Sequence, residues 1–363
     1  LLIVSRQENS FAGMRWYAGA FVVVLLMCSA PAAKAGQRLY VDSVRTNLLL
    51  QAQAAILDDR FDTSDSLARC IIEVDPSDPA GYISLAASQL ARMIDAEDNL
   101  YGGQYTTLLD SVTKLCESPL STAAPDRKAW LYLFLGHAQA YRALYESKFG
   151  SAYRAVRMGL RTRESYEAGL TADSTLNDLY FGLGSYHYWK SVKAGLFRWV
   201  GLFHNDIERG IEELHFAADS SIFSRPVSLA ALAWVWLDRE QYDSVAVVTR
   251  PLRLQFPRGK SFLWPLAKAQ YDSKDFTAAV ATYIQIRQLL EPNPGNHFNM
   301  VECDFYIAKC YEKLSQNPRV LACAARIAAY EKYVSGEVRI RQGDKIRYLK
   351  KLAESVETTA SSE

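Results

Sequence analysis

The groups in this 363-residue chain best able to do chemistry are His137, His187, His204, His215 and His297, together with six cysteines and 40 carboxylates. A zinc hydrolase needs two histidines one turn apart on a helix with a glutamate between them, and no pair here has that spacing. A phosphate loop needs a glycine-rich turn after a strand. Gly182-x-Gly184 lacks the third glycine and follows no strand pattern. Glu212 and Glu213 are sequence neighbours, which do not face each other on a helix and are expected on a solvated face. His187 stands in Gly184-Ser-Tyr-His-Tyr-Trp189 and is expected to pack at a helix interface, its ring bonded to a backbone carbonyl. No catalytic residue, metal site or cofactor is predicted, and the chain is not expected to be an enzyme.

With 49% hydrophobic and 22% charged residues the chain can bury a large core, and its 12 Pro and 19 Gly are too few for general disorder. A net charge of +1 excludes an electrostatic grip on nucleic acid, which needs clustered Lys and Arg. Met14 and Arg15, the apolar run Tyr17 to Met27, then Pro31 and Ala33-Lys34-Ala35 predict a secretory signal peptide over 14–35 cleaved before Gly36. Residues 1–13 then read as upstream sequence from a mis-start. The apolar run is short of the ~20 residues of a membrane span, so export to a bacterial periplasm or cell envelope is expected over anchoring. Five cysteines follow residue 35 with no Cys-x-x-Cys among them. Most are expected as buried thiols, and Cys310 with Cys323, on successive antiparallel helices, is the expected disulfide.

The elements that position these groups are helices. Leu48 and Tyr82, Leu229 and Leu263, and Tyr242 and Phe276 are each 34 residues apart. One period reads as a hairpin. Asp59-Arg60-Phe61 opens a helix through Ser64, Ala68 and Ile71, which ends at Asp75-Pro76-Ser77-Asp78-Pro79 because proline has no amide hydrogen to continue it. The next helix carries Tyr82, Leu85, Ala86 and Gln89, an i, i+3, i+4, i+7 stripe. The grammar returns at Leu135-Gly136, at Tyr180-Phe181-Gly182-Leu183-Gly184, at Leu263, Leu266 and Ala267 followed by Phe276, Ala279 and Tyr283, and at Ile307, Ala308 and Tyr311.

Over residues 45 to 330 this pattern resembles the tetratricopeptide-repeat (TPR) family. The resemblance implies an all-α, right-handed solenoid of antiparallel helix pairs, about seven hairpins over 36–353, followed by a polar tail at 354–363. The first helix of each hairpin would line a concave groove holding Leu133, His137, Tyr141, Phe181, Tyr188, Trp189, Trp234, Trp264, Lys268, Tyr271, Phe305, Lys309 and Lys313. The family's clamp of Lys, Asn and Arg for a carboxylate terminus is not reproduced, because Leu, Phe or Trp stands where the clamp needs Lys.

Two features depart from the repeat. Tyr132 and Tyr180 are 48 residues apart, which requires an insertion or longer helices. Residues 191–204 interrupt the pattern with Phe197, Trp199 and Phe203 beside Lys190, Lys193 and Arg198. That segment is expected either to fold back as a plug or to form a patch touching a membrane surface or a second protein. The function expected is an exported scaffold or adaptor that binds a protein or peptide in an aromatic groove. The alternative is a soluble receptor for a glycan or small apolar ligand in the same groove.

Overall fold

A computed structural model describes residues 40–194, 205–291, 293 and 295–360, without the side chains of 194 and 353–360. The expected mis-start, signal peptide and Phe197-Trp199-Phe203 patch lie outside the described residues, as do the last three residues of the expected tail. Sixteen α-helices are present among the described residues, and the chain divides into two compact units, one of Leu1–Ile94 and Asn99–Val235, the other of Asp95–Asp98 and Trp236–Glu363.

The first unit holds α1 (Ser43–Leu57), α2 (Phe61–Val74), most of α3 (Pro79–Ala96), α4 (Gly102–Glu117), α5 (Pro125–Phe149), α6 (Ala152–Ala172), α7 (Leu179–Ala194), α8 (Ile207–Ser220) and most of α9 (Arg225–Asp238). Helices adjacent in sequence pack on one another: α1 on α2, α4 on α5, α5 on α6, α6 on α7 and α7 on α8. Proline stands in the first turn of α3, α5 and α9, where its missing amide hydrogen has no helical acceptor to lose. α5 has 25 residues and α6 has 21, so the wide Tyr132 to Tyr180 spacing comes from two long helices.

Glycine sets the closest approaches. The ring of Tyr166 on α6 is wedged between Gly136 of α5 and Gly182 of α7, and a methyl group at either glycine would overlap it. Gly184 and Gly210 bring α7 and α8 into backbone contact: a Cβ on Gly210 would lie 2.6 Å from the Tyr188 nitrogen. Beside that contact, Nδ1 of His187 is 2.6 Å from a carboxylate oxygen of Glu213, whose other oxygen accepts from Arg209 at 2.9 Å. His187 is thus a helix-interface residue bonded to a carboxylate and not to a backbone carbonyl. Glu213 is buried and paired, not solvated.

The second unit comprises the end of α9, then α10 (Tyr242–Gln255), α11 (Leu263–Asp272), α12 (Phe276–Leu290), α13 (His297–Lys313), α14 (Asn317–Tyr330), α15 (Gly336–Arg341) and α16 (Gly343–Ala360). Again neighbours pack, α10 on α11, α11 on α12, α12 on α13 and α13 on α14, and α16 lies against both α13 and α14. α16 runs to Ala360, through most of the stretch expected as a tail. Asp304 is buried on α13 and accepts from Arg326 at 2.7 Å and from Tyr330 at 3.0 Å, which fastens α14 to it.

One turn recurs in both units. Asp59, Glu240, Lys274 and Ser315 all have positive φ, between 54° and 68°, each two residues before the next helix begins. Behind three of them the following amide reaches five residues back, as in Arg60 to Ala55, Gln241 to Trp236 and Gln316 to Tyr311. This is the left-handed cap that satisfies the last carbonyls of a helix, built here without glycine. Phe61, Tyr242 and Phe276 each open the helix that follows it.

Candidate partner-binding face

In α11 the residues Trp264, Lys268 and Tyr271 are spaced i, i+4, i+7 and share one face, and all three are half-buried. α13 contributes Glu302, Phe305, Tyr306 and Lys309, and α16 contributes Lys345 and Tyr348. Their rings form a connected series. Trp264 lies 6.4 Å from Tyr283 of α12, Tyr283 stacks on Tyr306 at 5.0 Å, Phe305 is 5.2 Å from Tyr306, and Tyr348 is 5.1 Å from Phe305. Tyr271 meets Tyr306 edge-on at 5.0 Å. Tyr283 is fully buried and anchors the series; the other rings are half-buried.

Three lysines lie over these rings. Lys309 is 3.9 Å from the ring centre of Tyr348, Lys345 is 5.7 Å from those of Phe305 and Tyr306, and Lys268 is 5.8 Å from that of Tyr271. Each also has its own carboxylate: Lys268 bonds Asp272, Lys345 bonds Glu302, and Lys309 lies 3.5 Å from Glu312. The cations are therefore neutralised locally, and the face presents aromatic area with little net charge. Burial raises the pKa of the Tyr271 phenol, which keeps it a hydrogen-bond donor at neutral pH.

Of the residues predicted for a groove, Trp264, Lys268, Tyr271, Phe305 and Lys309 come together on this face. Lys313 is exposed at the end of α13. Those of the first unit fare differently. Leu133, His137 and Tyr141 on α5, Phe181 and Tyr188 on α7, and Trp234 on α9 are all buried, and Trp189 is half-buried against Tyr188. The six buried side chains fill the interior and offer no open face. His137 bonds only within the core: its Nδ1 is 2.6 Å from the Tyr166 hydroxyl, and burial lowers its pKa to about 3, so the ring is neutral at physiological pH. Cys310 and Cys323 stand as free, buried thiols on the packed pair α13 and α14, and burial pushes the Cys310 thiol up to about 12.

Sequence reasoning missed Tyr306, Lys345 and Tyr348. Tyr306 sits beside Phe305 and shares its helix stripe with Glu302 and Lys309. Lys345 and Tyr348 flank the apolar Ile346 and Leu349 of α16, beyond residue 330 where the repeat pattern was followed.

A depression in the first unit has a volume of about 410 Å³ and is lined by Arg45, Asp75, Asp126, Arg127, Trp130 and Asp178 among others. Arg45 there bonds Asp75 at 3.1 Å and Asp78 at 3.0 Å, while Asp178 accepts the backbone amide of Phe223 at 2.8 Å. These contacts tie helix ends together. No group of three or more His, Cys, Asp or Glu positioned to hold a metal ion occurs among the described residues.

No protein-family model matches the chain, and no curated protein matches it.

Proposed function

We propose that this chain is a binding scaffold whose second unit grips an apolar segment of a partner protein or peptide on the Trp264-Tyr271-Phe305-Tyr306-Tyr348 face. The single observation that supports this is a connected series of half-buried rings whose lysines are already paired. Tyr and Trp provide large contact area at small conformational cost, and they dominate binding energy where water is excluded. Because Lys268, Lys309 and Lys345 carry no uncompensated charge, such binding depends on apolar contact and varies little with salt. In the same reading the helix pairs are TPR repeats stacked as a solenoid, the chain works by recognition and not by catalysis, and the N-terminal segment exports it.

The test is capture of partners by the full chain and by a Trp264→Ala, Tyr271→Ala variant, with identification by mass spectrometry. A protein retained by the first and lost from the second, in both low and high salt, is the expected result. Retention by both overturns the assignment. A rise in melting temperature with a soluble sugar, abolished by the same substitutions, would make the face a glycan site instead.

A further inference from the structure

α6 begins with ten residues that bury no side chain; its first buried residue is Thr162. Yet this stretch holds three large apolar groups in the open, Tyr153 at 73% exposure, Val156 at 66% and Leu160 at 45%. Their i, i+3, i+7 spacing puts them on one side of the helix. Arg154, Arg157 and Arg161 fall on the adjoining arc. From residue 147 to residue 163 the chain carries Lys148, Arg154, Arg157, Arg161 and Arg163 and no acidic residue.

The charges are not all engaged. Arg154 is bound to Glu146 at 2.8 Å, and the same carboxylate oxygen accepts the Ser151 amide at 3.0 Å, which fixes the turn between α5 and α6. Arg163 reaches Glu167 at 3.5 Å. Among the described residues, Arg157 and Arg161 have neither an ion pair nor a hydrogen bond. The nearest acid on α6 itself, Glu164, lies beyond them. Gly159, at the edge of this face, likewise has open space beside it, with no atom within 4 Å of where a side chain would begin.

We infer that the exposed face of α6, Tyr153, Val156 and Leu160 with Arg157 and Arg161, docks on the surface of an anionic lipid bilayer. A protein partner typically needs a concave or broad patch of roughly 800 Å² per side, and three apolar side chains on one unwalled helix do not supply it. A bilayer interface accepts a single helix face of this type, with apolar side chains entering the acyl boundary while arginines meet the headgroup phosphates. The contact is weak and reversible. It is distinct from the aromatic face of the second unit in residues and in chemistry, since it depends on unpaired charge. Among the described residues no helix is long and apolar enough to cross a membrane, and the inferred contact is peripheral.

The experiment is flotation of the full chain with vesicles of phosphatidylcholine alone and of phosphatidylcholine with phosphatidylserine, in low and high salt, alongside Arg157→Gln, Arg161→Gln and Tyr153→Ser, Leu160→Ser double variants. Both pairs are solvent-exposed, so circular dichroism and melting temperature stay unchanged. Any other lipid-binding segment of the chain contributes equally to every sample. The expected result is binding to the anionic vesicles that falls with salt, with the arginine pair lowering the partition coefficient by about 30-fold and the apolar pair also weakening it. Equal partition of the wild type and both variants overturns the inference. So does a salt-sensitive, Arg157- and Arg161-dependent complex with soluble polyglutamate without vesicle binding, which makes the occupant an acidic protein segment.

Discussion

A cluster of rings in the first unit and a series of rings in the second differ in how far they are covered. In the first, Tyr40, Tyr105, Tyr141, Tyr166 and Phe134 are sealed in the core, and helices close to backbone contact around them where glycine permits. In the second, Trp264, Tyr271, Phe305, Tyr306 and Tyr348 touch in series but keep an open side. The same residue types at the same helical spacing are thus sealed in one place and left half-exposed in the other. What separates them is the helix that comes next. Long α5 and α6, with α7 packed on α6, enclose Tyr166, whereas short α11 and the late return of α16 leave one side of the rings uncovered.

The sharpest way to break this contrast is to remove one ring from each unit. Tyr166→Ala empties a site between two glycines that cannot collapse easily, and a loss of about 4 kcal/mol in unfolding free energy is expected. Tyr271→Ala removes two edge-on contacts, with Phe276 and Tyr306, from a half-exposed ring and is expected to cost about 1 kcal/mol. Equal losses in urea denaturation would show that both rings are core.

A second effect is acid sensitivity, which is larger for His137 than for the less buried His297 of the second unit. His137 in the first unit has its pKa lowered from 6.5 to about 3 by burial. As pH falls below the unfolded value, the unfolded chain takes up a proton that the folded core refuses, so stability present above that value is lost towards the folded pKa. The expected loss between pH 7 and pH 5 is about 2 kcal/mol, and His137→Gln is expected to flatten that dependence while lowering stability at both values. An unchanged slope in the variant would remove His137 as the cause.

The smallest effect tests what the units share. Asp59 and Glu240 occupy equivalent left-handed caps, with φ of 54° and 57°. Asp59→Gly and Glu240→Gly are each expected to raise stability by about 0.5 to 1 kcal/mol, because glycine adopts that conformation without strain. Gains of similar size, read by thermal melts, support one repeated turn; a loss at either site denies the equivalence.

Much of the architecture was legible. Proline marks the starts of α3, α5, α9 and α14, and the spacing of Tyr242 and Phe276 places two helix starts correctly, because local sterics and periodicity act within a few residues. The caps were harder to see, since their signal is usually glycine and here it is Asp, Glu, Lys or Ser. The repeat resemblance assigned His137, Tyr141, Tyr188 and Trp234 to a groove face. It carries no information on whether another helix covers that face, and one side of each site is decided by residues far away in sequence. Tyr348 and Lys345 show the converse, entering the second unit's face through packing of α16 on α13.

The central claim is that the second unit's rings are for recognition. Its most direct test is calorimetric titration of a captured partner, or of the peptide mapped from it, into the wild-type chain and the Trp264→Ala, Tyr271→Ala variant, with the melting temperature of each measured in the same buffer. The account predicts affinity weakened by at least about 30-fold, near 2 kcal/mol, in both low and high salt, with helicity retained and only a small fall in melting temperature. Affinity that persists in a folded variant, or that disappears only in step with helicity, would contradict it.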